Sequence, residues 1–111
     1  MKKLEIIIKS EKLEKLKKIM DDNHVTGLNV ANIMGFGHQR GYADGHGEGL
    51  NFNLLPKIKV ETVVPDDLAE TVVDAVVEEI HTGNFGDGKI FVYDVVDAVR
   101  IRTGVHGDEA L

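Results

Sequence analysis

The sequence predicts one small α+β domain made of two similar strand–helix–strand units. Residues 3–9 and 57–64 alternate apolar with polar side chains, and each stretch runs directly into a segment with apolar residues at helical spacing. Each helical segment is followed in turn by a further β-rich run. A chain of 111 residues has room for one modest core and no second domain. The composition removes whole classes of function. The chain has no cysteine, which excludes a disulfide scaffold, a cysteine-ligated metal site and a thiol nucleophile. A net charge of -6 with 5% aromatic residues makes a poor general binder of nucleic acid or anionic lipid. Apolar runs such as Ile6-Ile7-Ile8 fall far short of the roughly 18 residues of a membrane span. Glu5 and Lys9 interrupt the start where a leader would be apolar, so the expected location is the cytoplasm.

In the first half, Leu4, Ile6 and Ile8 share one strand face, with Glu5, Ile7 and Lys9 on the other. Ser10 offers an N-cap oxygen and Glu11 a negative charge in the first helical turn. Leu13, Leu16, Ile19 and Met20 mark the buried helix stripe, and Asp21-Asp22-Asn23 ends it. Residues 25–34 read as a second strand, interrupted by Gly27 and closing at Gly35-Phe36-Gly37. In the second half, Ile58, Val60, Thr62 and Val64 oppose Lys57, Lys59, Glu61 and Val63. Pro65-Asp66-Asp67 opens the next helix, with Asp67 and Glu70 at capping-box spacing. Its stripe is Leu68, Val72, Ala75, Val76 and Ile80, and His81-Thr82-Gly83 stops it. Residues 89–96 form the next strand, followed by an extended tail over 98–103. This order is the ferredoxin-like βαββαβ sandwich.

In that arrangement the helices cover one sheet face and leave the other open. The open face is expected to carry Glu5, Lys57, Lys59, Glu61, Arg100 and Arg102 among apolar neighbours. Such a surface is too polar for a dry core and too apolar for water alone, which marks it as a subunit interface. Head-to-tail contacts that close into a ring would leave clefts between chains.

Two stretches fall outside the repeated unit. Residues 35–55, GFGHQRGYADGHGEGLNFNLL, have no apolar period, and a loop of that length in a small domain is uncommon unless it binds something. Residues 82–92, TGNFGDGKIFV, combine three glycines with Lys89. Backbone N–H groups freed by glycine and a following ammonium suit a phosphate. The spacing is not that of a Walker A loop, and a glycine-rich turn that merely caps a helix has the same composition. Lys57, Lys89, Arg100 and Arg102 shift the balance towards a nucleotide. The two arginines stand two apart in the expected extended tail, on one side, where forked donors can grip phosphate oxygens.

Residues 82–92 closely resemble the C-terminal signature of the PII nitrogen-regulatory signal-transduction proteins. So do Gly35-Phe36-Gly37, Leu55-Pro56-Lys57-Ile58-Lys59-Val60-Glu61, Val63-Val64-Pro65-Asp66-Asp67 and Arg100-Ile101-Arg102-Thr103-Gly104, in order and over the whole chain. The resemblance implies one PII-type domain over 1–111, with a flexible effector arm or T-loop at 37–54, a phosphate-binding B-loop at 82–89 and a C-terminal loop at 100–108. It implies a homotrimer with ATP or ADP in three inter-subunit clefts. Gly86, Asp87, Gly88 and Lys89 would hold phosphates, and Arg100 and Arg102 would reach them from the adjacent chain. Gly35, Phe36, Gly37, His38 and Gln39 would flank the nucleotide, with Asn29, Glu61 and Val63 near adenine and ribose. Gln39 and Lys57 match positions that contact 2-oxoglutarate, which in this family chelates Mg²⁺ together with ATP; Gln39 would be the residue nearest the metal. No catalytic residue is implied, since no Ser/His/Asp set is present, and at most a slow background ATPase is expected.

The implied function is regulation of nitrogen-related targets by binding. The T-loop would engage a partner, such as an ammonium channel or another transporter that recruits the protein to the membrane, with no insertion of its own. The alternative is a PII-like sensor that answers to another metabolite or a metal and controls a different transporter or enzyme. Two departures matter. Many relatives carry arginine where this chain has His38, and losing one charged hydrogen bond costs about 1.5–3 kcal/mol, so ATP should be less preferred over ADP unless Arg40 substitutes. The stretch 48–52 contains neither a tyrosine nor a serine for modification, and the arm reads about one residue short, so control by small ligands alone is expected. Asp44, His46 and Glu48, with His38 nearby, have the donor types of a divalent-metal site, although four glycines argue against a preorganised one. His24, His81 and His106 are isolated and expected to be structural or solvated.

Overall fold

A computed structural model describes residues 1–36 and 54–111. The strands are β1 (Lys2–Ile8), β2 (Asn29–Gly35), β3 (Leu55–Val64) and β4 (Lys89–Asp94), and the helices α1 (Leu13–Asp22) and α2 (Asp66–Ile80). The strands form one antiparallel sheet in the order β2-β3-β1-β4. This is the α+β arrangement expected of a ferredoxin-like chain, with each half a strand, a helix and a strand. Both helices lie on the face that carries Leu4, Ile6 and Ile8. There they meet Ile58, Val60 and Val64 of β3 and bury Leu16, Ile19, Met20, Val72, Val76 and Ile80 between the layers. Alternation decides which side chains enter that core, because residues opposite one another in register share a face. The pairs Glu5↔Glu61, Ile7↔Lys59, Glu5↔Phe91 and Lys3↔Tyr93 therefore lie on the open face.

Several element boundaries differ from expectation, each for a local reason. Ser10 does not cap a helix. The chain enters α1 through a 3₁₀ turn at Ser10–Lys12, closed by Lys12 N–H to Lys9 O at 3.0 Å, which puts Ser10 inside the turn rather than ahead of it. Asp67 and Glu70 make no capping box; α2 starts at Asp66 after Pro65, and the Asp66 carboxylate takes the Met1 ammonium at 2.9 Å. Ala69 replaces Leu68 in the fully buried stripe of α2, with Leu68 and Ala75 partly buried. Residues 25–28 are not strand. His24 adopts a left-handed φ of 61°, which turns the chain, and the Thr62 hydroxyl donates to Gly27 O at 2.5 Å. β4 stops at Asp94 because its partner β1 runs out at Lys2, opposite Asp94. The tail over 98–103 is not extended. Residues 101–103 form a turn closed by Gly104 N–H to Arg100 O at 2.7 Å, and Arg100 and Arg102 lie beyond the sheet instead of on its open face.

Candidate functional site

The segment between α2 and β4 is built around one carboxylate. Asp87 accepts hydrogen bonds from Thr82 N–H at 2.7 Å, the Thr82 hydroxyl at 2.6 Å and Gly83 N–H at 3.0 Å. The Thr82 hydroxyl also accepts from Asn84 N–H at 3.2 Å. The Thr82 donors hold the Asp87 carboxyl below its ordinary range, helped by Gly83 and by the positive charge of Lys9. Gly83, Gly86 and Gly88 have φ values of 85°, 92° and 110°, a region that side chains resist. Gly88 also passes so close to β1 that a Cβ there would overlap the Ile7 carbonyl. The Asp87 side chain thus ties the start of this loop to its end.

Beside it lies a cleft of about 490 Å³. Gly35 and Phe36, at the end of β2, form one wall, and Gly86, Gly88 and Lys89 form another. Lys57 extends from β3 between them, its ammonium 3.3 Å from Gly86 O. Partial burial pushes the Lys57 pKa down, and repulsion from Lys9 adds to the shift. A negative charge placed beside Lys57 would offset this shift by favouring the ammonium. The remaining wall is apolar, with Ile7, Ile33, Phe85 and Phe91.

A second cleft, of about 430 Å³, opens near the other end of the β2–β3 pair. Asn29, Glu61 and Val63 line it together with Lys3 and Leu111. Lys3 pairs with Glu61 at 2.7 Å, and Lys59 approaches the same carboxylate at 3.7 Å. The Lys3 ammonium chiefly accounts for the lowered pKa of Glu61. The tail reaches this cleft, because the Arg100 guanidinium donates to Glu109 O at 3.1 Å and to Leu111 O at 3.3 Å.

The residues expected to form one nucleotide site thus fall into two groups. Gly35, Phe36, Lys57, Gly86, Gly88 and Lys89 line the first cleft, with Asp87 folding its rim. Asn29, Glu61 and Val63 line the second, next to the tail that bears Arg100 and Arg102. Lys57 and Glu61 are four residues apart on one strand, a separation of roughly 13 Å. Gly37, His38 and Gln39 lie outside the described residues, as do Asp44, His46, Glu48 and most of the expected T-loop. Among the described residues, no group of three or more histidines and carboxylates is arranged to hold a metal. Sequence reasoning missed the roles of Lys3 and Lys9, which act on Glu61 and on Lys57 and Asp87, and missed the apolar wall. Strand alternation could have found Ile7 and Phe91, since both stand on the open face beside Lys89.

The described residues thus form a small antiparallel α+β domain with a glycine-rich loop beside Lys89 and a cleft near each end of the β2–β3 pair. The family model for nitrogen regulatory protein P-II matches residues 1–105. The chain is 43% identical over 112 aligned positions to nitrogen regulatory protein P-II 1 of Escherichia coli (strain K12), covering all of both chains. With the same full coverage it is 42% identical to nitrogen regulatory protein P-II of Klebsiella oxytoca and 41% identical to that of Haemophilus influenzae. The chain belongs to the P-II family, whose members are regulatory proteins rather than enzymes. No helix among the described residues is long and apolar enough to cross a membrane.

Proposed function

We propose that the protein is a cytoplasmic homotrimer that senses ATP and ADP in clefts between subunits and regulates nitrogen-related targets through its T-loop. The observation that carries this reading is the division of the expected site into two half-sites at opposite ends of the β2–β3 pair. Lys89 and Glu61 line separate clefts of one chain, and neighbouring chains in a ring would pair the first cleft of one with the second cleft of the next. Phosphates would sit on the N–H groups of 86–88 and on Lys89, with Arg100 and Arg102 of the adjacent chain opposite them. Adenine and ribose would lie by Asn29, Glu61 and Val63.

Lys57 would take the carboxylate of 2-oxoglutarate, exchanging its bond to Gly86 O for a full charge. Mg²⁺ would draw ligands mainly from phosphate and organic-acid oxygens, with Gln39 closest in the chain, since the described residues offer no carboxylate cage. The ligand touches the base of the T-loop at Gly35 and Phe36, so each ligand state favours its own set of arm conformers, and the target reads that set. The target is a transporter such as an ammonium channel.

The apolar wall of Phe36, Phe85 and Phe91 favours a second reading, in which Lys57 receives an organic acid with a larger apolar body than 2-oxoglutarate. Calorimetry separates these. ATP and ADP are titrated with and without Mg²⁺ and 2-oxoglutarate, on wild type and on Lys89→Ala. Micromolar binding that Lys89→Ala weakens about tenfold or more supports the nucleotide site. Absence of nucleotide binding at millimolar concentration overturns it, and binding indifferent to 2-oxoglutarate moves the assignment to the second reading.

A further inference from the structure

Residues 97–107 fold back so that Arg100 stands at the neck and Arg102 at the tip of a closed loop. The closure depends on Asp97. Its Oδ1 accepts from Ala98 N–H at 2.9 Å and from Gly107 N–H at 3.2 Å, while its Oδ2 meets His106 Nδ1 at 2.7 Å. One carboxylate therefore holds both ends of the loop. Above it, Val99 and His106 form an isolated bridge, Gly107 N–H reaches Ala98 O at 2.9 Å, and Arg100 N–H reaches Val105 O at 2.9 Å. The His106 side chain is 66% exposed, so solvent protons reach it freely. A neutral imidazole can still donate one hydrogen bond to Asp97, but a protonated one adds the attraction of opposite charges.

We propose that Asp97 and His106 form a protonation-linked clasp that fixes where Arg100 and Arg102 stand, which makes Asp97 and His106 positioning residues for anion binding. The proposal rests on the nucleotide-binding reading above. His106 is the ionisable group whose charge acts on Asp97. The other ionisable side chains of residues 97–111 are Arg100, turned to the Glu109 and Leu111 carbonyls, together with Arg102, Asp108 and Glu109. With the imidazole protonated, the pair is fully charged and the loop is held more tightly. With it neutral, the clasp is an ordinary hydrogen bond and the arginines gain freedom.

The test uses Asp97→Asn and His106→Gln in the full chain, with ATP as the probe. ATP affinity is measured at pH 6 and pH 8, and amide exchange is followed at Arg100 and Gly107. Ionisation of the ATP phosphate is common to every variant and cancels when each is divided by wild type. Wild type should gain about twofold to fivefold over His106→Gln on going from pH 8 to pH 6, the scale of an exposed ion pair. Asp97→Asn should weaken ATP about threefold to tenfold at both pH values and speed exchange at Gly107 by a similar factor, with its unfolding midpoint unchanged. A wild-type to His106→Gln ratio that does not vary with pH overturns the proposal, and so does an Asp97→Asn protein that binds and exchanges like wild type. If wild type itself ignores ATP, the nucleotide reading fails, while exchange at Gly107 still decides whether the clasp exists.

Discussion

At Gly88 the backbone turns with φ of 110° and lies against the Ile7 carbonyl, so no side chain fits. Gly83 has a similar φ of 85° but open space around it. Gly88→Ala should therefore cost about 3 kcal/mol or more, whereas Gly83→Ala should cost only the 1–2 kcal/mol or so of a left-handed alanine. Urea unfolding of the two variants measures the difference, and equal costs would contradict the packing at β1. Asp87 gives a second prediction at this scale. Its folded pKa lies below the ordinary 3.8, so its support of the loop is present above that value and is lost as pH falls through the lower folded one. Amide resonances of Thr82 and Gly83 should shift together in that acid range, and the shift should vanish in Asp87→Asn. Composition left the glycines and Lys89 open to two readings, an anion cradle or a helix-capping turn, and the other basic residues tipped the expectation towards the first. The structural role of Asp87 was not legible, because its partners, the Thr82 hydroxyl and the N–H groups of Thr82 and Gly83, come together only when the turn folds.

Among the elements, Thr62 ties a strand to a loop. It is buried at 4% exposure, and its hydroxyl caps the Gly27 carbonyl. Thr62→Val keeps the shape but leaves that carbonyl without its donor, so stability should fall by about 1–3 kcal/mol in urea unfolding, with the strand register unchanged. The strands and helices themselves were readable from period, since β1, β3 and both helices bury one face each. Their ends were less so. Residues 25–28 have strand-like composition, yet His24 turns the chain and Gly27 is fixed by a residue 35 positions later. The tail likewise alternates in sequence but folds back, because Gly104 and Gly107 adopt φ of 74° and 78° and Asp97 closes the loop behind them. In both places a contact from elsewhere in the chain overrides the local pattern.

On the scale of the whole molecule, one protomer leaves apolar side chains uncovered. Phe91 and Tyr93 stand 45% exposed on the open face, and Val96 and Ile101 beyond the sheet are almost completely exposed. Exposed apolar side chains of this kind would suit the subunit surface of the proposed trimer. Native mass spectrometry should give three times 12.2 kDa, and Phe91→Asp should return the protein to a single chain with its circular dichroism retained. A wild type that stays at one chain mass would remove the trimer, and with it the pairing of half-sites.

The order of strands and helices and the face each one buries followed from the sequence by itself, because they depend on side-chain period. Membership in the P-II family was legible in the same way, from motifs held in order along the chain. The separation of the expected site residues into two clefts was decided by the tertiary structure alone. Residues near one another in sequence, such as Lys57 and Glu61, are separated by the rise of a strand, while Lys57 and Gly86, 29 positions apart, come within hydrogen-bonding distance. Chain folding sets such distances, and no local pattern encodes them.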